Sequence, residues 1–186
     1  GVFLLARLWP VLAGTELYTV VVTSVGLVTM LLGATVALFR HDLKSILAYS
    51  TISQLGMLVM LLGFSLEAAA LAAVLHILNH AAFKAALFMS AGIVEHETGT
   101  RDIRRLGGLA KAMPITALVA TLAAASMAGL PPLGGFISKE LMLYQTPKLA
   151  LLGLPWLLPV LATLGATFSV GYSLRLAGHL FFGQPR

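Results

Sequence analysis

Residues 71–92 read LAAVLHILNHAAFKAALFMSAG. They lie in a run from Ala68 to Glu95 that is long enough to cross a bilayer, and His76, His80 and Lys84 stand in it four residues apart. A helix rises about 1.5 Å and turns about 100° per residue, so steps of four stack side chains on one face roughly 6 Å apart. Asn79 lies within a turn of His76 and Phe83 and widens the polar strip. Around it are Ala, Leu, Ile, Val, Phe and Met. An ionisable ladder on one side of a membrane helix points by default to an ion or proton route.

The totals agree with a membrane setting. Of 186 residues, 59% are hydrophobic and 10% charged, and the mean hydropathy is +0.95. A soluble exterior needs about a quarter of its residues charged, so the expectation is an all-α polytopic membrane protein with one membrane domain over 1–186. The net charge of +5 comes from residues between apolar runs, without an aromatic-interleaved patch; it signals topology rather than nucleic acid. With no Cys, disulfides, thiolate metal sites and iron–sulfur ligation are excluded, and no cofactor is expected. The first apolar run, Val2 to Gly14, is too short for a core about 30 Å thick. It reads as the end of a helix that begins earlier, which makes the chain a piece of a larger protein.

About five full spans follow that partial one. Leu17–Phe39 is closed by Arg40-His41-Asp42, and Asp42 is placed to cap the next helix, which runs from about Leu43 to Leu62. The middle of that helix carries Tyr49, Ser50, Thr51, Ser53 and Gln54. Such groups must face protein or water in a bilayer. They serve either as interhelical hydrogen bonds or as a hydrated lining beside the ladder. After the ladder helix, 96–111 is expected as a cytoplasmic connecting loop, with Ile103, Leu106 and Leu109 forming a short amphipathic surface segment. Glu95, His96 and Glu97 read as a solvated surface and Lys44 as an interface anchor. The next run breaks at Pro131-Pro132-Leu133-Gly134-Gly135, where prolines remove donors and glycines permit sharp turns, and resumes from Phe136. A last span is expected over about Leu151–Leu180, tilted or bent near Pro155 and Pro159. Arg40, Lys44, Arg101, Arg104, Arg105, Lys111 and Arg186 then fall on one side, with Lys148, Glu16 and Glu67 opposite. The basic side is cytoplasmic by the positive-inside rule.

Lys139 is the second anchor, just past the break and near the bilayer centre. An ammonium there costs about 2.5–3.5 kcal/mol on insertion scales, so a lysine in that position is suited to take up and release a proton. Broken helices also expose carbonyls and amides of the kind that line ion sites in transporters. A plain kink, with Lys139 reaching to an interface, is the structural alternative. His76 and His80 form H-x-x-x-H, which can bind zinc, or they can be satisfied core histidines; titration near neutral pH favours a proton relay. Glu140 is turned about 100° from Lys139 and is not its direct partner.

HDLKSILAYSTISQLG (41–56), HILNHAAFKAALFMSAGIV (76–94) and SMAGLPPLGGFISKE (126–140), in this order, resemble the antiporter-like membrane subunits shared by respiratory complex I and Mrp-type sodium/proton antiporters. The connection EHETGTRDIRRLGGL (95–109) is most similar to the A-type subunits of the Mrp family. The resemblance implies a bundle of inverted repeats, each with a broken helix, of which this chain is the second. It implies proton-pathway roles for His76, His80, Lys84 and Lys139, with Ser53 and Gln54 flanking the ladder. It further implies a transporter subunit rather than an enzyme, in a bacterial or archaeal cell membrane. Other membrane subunits, protons, Na+ and the bilayer would be its partners. The alternatives it leaves are a structural scaffold and a proton-pumping complex I subunit. The family's first-repeat glutamate and lysine, and its central lysine, fall outside these residues.

Overall fold

The computed structural model describes residues 1–184, so Arg186 of the basic side lies outside the described residues. It is helical throughout: α1 (Val2–Leu12), α2 (Glu16–Phe39), α3 (Leu43–Gly63), α4 (Glu67–Thr98), α5 (Pro114–Ala128), α6 (Gly134–Gln145) and α7 (Leu157–Ala177). A 3-10 turn, Thr146–Lys148, follows α6, and a π turn, Gly178–Phe182, extends α7. Among the described residues four helices are long and apolar enough to cross a membrane: α2, α3, α4 and the α7 stretch Leu157–Phe182. The broken pair α5 and α6 makes the fifth crossing.

Helix α2 packs along α3 through small residues. A Cβ on Gly26 would run into the backbone of Met60, and one on Gly56 into that of Met30, so only glycine permits this approach. Asp42 caps α3 by accepting from Ser45 N at 2.7 Å. The α2–α3 turn also pairs with the connection after α4: Leu43 N donates to Arg101 O at 2.9 Å and Ile103 N to His41 O at 2.9 Å. Arg175 of α7 reaches the same turn, donating to Leu38 O and, at 2.6 Å, to His41 Nδ1. These contacts bring the described basic residues of the turn and the connection to one end of the bundle. Glu16, Glu67 and Lys148 belong to the opposite end, where Thr19 and Ser65 share a hydrogen bond at 3.0 Å.

Three local expectations change. The last helix begins at Leu157, not Leu151, because Leu151–Leu154 closes a tight turn with Leu152 at φ 54°. Ile103 and Leu106 are buried in the core cluster of Phe83 and Leu87, and Leu109 packs against it, in turns and irregular chain rather than a surface amphipathic segment. Glu95 is not merely solvated: it pairs with Lys44 at 2.5 Å and with Arg101 at 3.5 Å. In the same connection, the hydrogen bond from Arg104 holds the Asp102 carboxyl below the usual carboxylate range.

Candidate functional site

The break in the fifth crossing is built locally. Helix α5 ends at Gly129, left-handed at φ 89°, whose amide bonds back to Ala125 O and Ser126 O at 3.0 Å each. Pro131, Pro132 and Leu133 carry the chain out, and α6 starts at Gly134. Gly135 sits against the Ser126 carbonyl with no room for a Cβ, so the start of α6 lies directly against the end of α5. Ladder helix α4 grips this start. Asn79 Nδ2 donates to Gly134 O at 2.9 Å, and His76 Nδ1 is 2.8 Å from Ser138 Oγ.

Lys139 is 7% exposed and points back to the end of α5. Its Nζ donates to Met127 O at 2.6 Å, Ala128 O at 3.1 Å and Ser169 Oγ at 2.7 Å. The carbonyls of a last helical turn have no partner within their own helix, and here an ammonium bonds two of them. Ser169 Oγ also accepts from Gln54 Nε2 at 3.3 Å, and Gln54 Nε2 donates to Tyr172 OH at 2.9 Å. Gln54 Oε1 faces His76 Nε2 at 2.9 Å. Since an amide oxygen only accepts, His76 carries its proton on Nε2. A side-chain chain therefore runs from Lys139 through Ser169 and Gln54 to His76 and on to Ser138. Ser53 is buried beside it and, with Gln54, Lys139 and Ser169, bounds a cavity of about 10 Å³, room for about one water.

The other half of the ladder goes elsewhere. Lys84 is 6% exposed; its Nζ donates to Leu47 O at 2.9 Å and to Ser50 Oγ on α3. His80 stands between. Its ring centre is 6.1 Å from that of His76 and 5.5 Å from that of Phe83, and its buried Nε2 has no hydrogen-bond partner among the described residues. The even spacing of His76, His80 and Lys84 thus feeds two polar clusters, and Phe83 fills the same face. Among the described residues no group of three His, Cys, Asp or Glu gathers as a metal site. Sequence reading missed Ser169 and Tyr172, although Ser169, Tyr172 and Ser173 recur at helical spacing in the last span. It also gave no role to the Met127 and Ala128 carbonyls, which no side-chain pattern reveals.

A helical membrane bundle with a discontinuous helix and a buried lysine at the break has the architecture of ion-translocating proteins. The chain belongs to the NADH:quinone oxidoreductase/Mrp antiporter transmembrane family, which matches residues 1–168. It is 55% identical over 186 residues to the A/B-type subunit of a probable K(+)/H(+) antiporter of Rhizobium meliloti (strain 1021), covering 100% of this chain and 19% of that protein. It is 44% identical over 201 aligned residues to the A-type subunit of a Na(+)/H(+) antiporter of Bacillus subtilis (strain 168), covering 99% of this chain and 25% of the relative. The structure of the Mrp complex from Dietzia sp. DQ12-45-1b matches at TM-score 0.89 and 45% identity, over 94% of this chain and 20% of the matched chain. The chain thus spans about a fifth to a quarter of the relatives it matches.

Proposed function

We propose that this chain is a proton-conducting repeat of an A-type membrane subunit in a multisubunit monovalent cation/proton antiporter. It works as part of a transporter in a cell membrane, beside other membrane subunits, rather than as an enzyme. The observation that carries the reading is Lys139. It is a buried ammonium held by neutral oxygens at a helix break, and Ser169 and Gln54 link it to His76. Protons pass among His76, His80, Lys84 and Lys139. Ser53 and Gln54 line the route, and Asn79 holds the ladder against the break made by Pro131, Pro132, Gly134 and Gly135.

Ser138 gives His76 two workable states. Its hydroxyl lies 2.8 Å from His76 Nδ1 and 3.2 Å from Gly135 O. One hydroxyl proton serves one acceptor at a time. With His76 neutral, Ser138 donates to Nδ1; with His76 protonated, Nδ1–H donates to Ser138 and the hydroxyl turns to Gly135 O. A proton can therefore arrive at His76 without stranding a polar group.

The test is cation-dependent proton flux in vesicles holding the full-length assembly, with Na+ and K+ each supplied, since relatives are named for both. Lys139→Ala is expected to lower exchange by about 100-fold or more, the scale of a positioned proton-transfer group. Exchange intact in Lys139→Ala would sink the reading and favour a scaffold. Flux indifferent to cations but driven by NADH and quinone would assign the chain to a complex I-type assembly.

A further inference from the structure

We propose that the oxygens around the Lys139 ammonium are a binding site for a monovalent alkali cation, which takes the place of the ammonium when Lys139 gives up its proton. The proposal rests on the antiporter reading above and names the cation site within it. An ammonium and an alkali cation ask the same of a protein: several oxygens close around one point. Met127 O, Ala128 O and Ser169 Oγ lie 2.6, 3.1 and 2.7 Å from Lys139 Nζ. The two carbonyls end α5, where the helix dipole is negative. Carbonyls at such half-helix ends coordinate monovalent ions in transporters and replace their hydration shell elsewhere. The set is neutral. A divalent ion, which draws on carboxylates, is poorly served by it.

The surroundings supply what a swap needs. The cavity of about 10 Å³ bounded by Ser53, Gln54, Lys139 and Ser169 has room for about one water as a further ligand. On the other side opens a groove of about 510 Å³, bounded by Gly129, Lys139, Glu140, Tyr144, Thr163 and Thr167 among others. The lysine stem passes close to Gly129, where an added Cβ would be 3.0 Å from Lys139 Cδ. A neutral amine can swing into the groove, and a cation can enter past Glu140. The titratable groups around this site are Glu140 and Tyr144 of α6 along the groove, and, through Gln54 of α3, His76 on α4 and Tyr172 on α7; from α5 the described contacts are the two carbonyls.

The exchange balances. The N–H bond of the ammonium breaks as an O–H bond forms to a water in the cavity bounded by Ser53 and Gln54, which carries the proton away, and the cation brings in one positive charge. Site charge is the same before and after, so the apolar interior meets no additional unpaired charge, the state that burial penalises most.

The experiment measures exchange in vesicles with the full-length assembly as Na+ or K+ is varied, choline serving as the inert ion. A second readout is proton release from the purified complex, followed with a pH dye when either salt is added. Ser169→Ala is expected to raise the cation KM about tenfold with a smaller change in maximal rate, as for a lost contact to a charge. Ser169→Thr, which keeps the hydroxyl, is expected to restore it. Wild type is expected to release one proton per cation bound, and Lys139→Ala none. Slower exchange at unchanged cation KM in Ser169→Ala, with Lys139→Ala inactive, overturns the cation site and leaves the antiporter reading standing. Cation binding to wild type without proton release overturns the site whether or not the Ser169 variants assemble. Exchange that survives Lys139→Ala overturns the antiporter reading itself.

Discussion

Lys84 and Lys139 are both buried lysines on apolar helices; Lys84 bonds one backbone carbonyl and a serine, Lys139 two carbonyls and a serine, and the carbonyls differ in kind. Lys84 leans on Leu47 O inside the unbroken α3, an oxygen that also accepts from Ser50 Oγ at 2.9 Å and Thr51 Oγ1 at 2.8 Å. A carbonyl has two lone pairs, so Lys84 competes for its hold. Lys139 instead bonds two carbonyls at the end of α5: Met127 O, which also accepts from Ser169 Oγ at 3.2 Å, and Ala128 O. Leu47 O inside the intact helix serves Lys84 and two hydroxyls, whereas the break adds a second carbonyl, Ala128 O, beside the shared Met127 O. With three oxygens around Lys139 Nζ against two around Lys84 Nζ, the break is the more fully coordinated cation position of the two.

The largest expected effect on this contrast comes from glycine. Gly135→Ala pushes a Cβ into the Ser126 carbonyl and should cost about 1–3 kcal/mol or more by overpacking. It should separate the two half-helices and disperse the Lys139 site. Gly92→Ala, on the Lys84 helix where a Cβ meets nothing within 4 Å, should stabilise by up to about 1 kcal/mol. Thermal inactivation midpoints of the assembled complex compare the two; equal midpoints would remove the packing argument for the break.

A smaller effect is expected at Ser50. Ser50→Ala takes one partner from Lys84 and leaves Leu47 O, a loss of about 1 kcal/mol. Proton flux should fall severalfold with the cation KM unchanged, unlike Ser169→Ala. A raised cation KM in Ser50→Ala would mean that the two lysines share one cation role.

The smallest belongs to Asp102, in the connection whose Ile103 and Leu106 pack on the core of the Lys84 half. Its carboxyl is held low by Arg104, so its folded value lies below the unfolded one of about 3.9. Its contribution is present above that pH and fades as pH falls through the folded value. Asp102→Asn should leave the inactivation midpoint at pH 7 nearly unchanged, because exposed pairs contribute little. Any difference from wild type should shrink as the pH is lowered below about 4. A large loss at pH 7 would show that the connection clamps the Lys84 half.

Much of the fold was legible because bilayer helices must satisfy their backbone internally and show apolar runs of fixed length. The spans α2, α3 and α4, the Asp42 cap and the break at Pro131–Gly135 follow from those rules. The start of α7 did not, because Leu151–Pro155 is apolar yet forms a turn, and hydropathy does not distinguish the two. The buried state of Ile103 and Leu106 depended on a neighbour, the α2–α3 turn, that is distant in sequence. Glu95 likewise met Lys44 and Arg101 only through folding.

By itself the sequence determined which residues are ionisable, which helix carries them at a spacing of four, and where a helix must break. Those are properties of a single segment, set by helical period and backbone chemistry. Only the tertiary structure decided that His76 joins Lys139 through Gln54 and Ser169 while Lys84 turns to α3, and that two carbonyls of α5 surround an ammonium from α6. Period places side chains on a face. What a face meets depends on the packing of other helices, and a free carbonyl carries no side-chain signature.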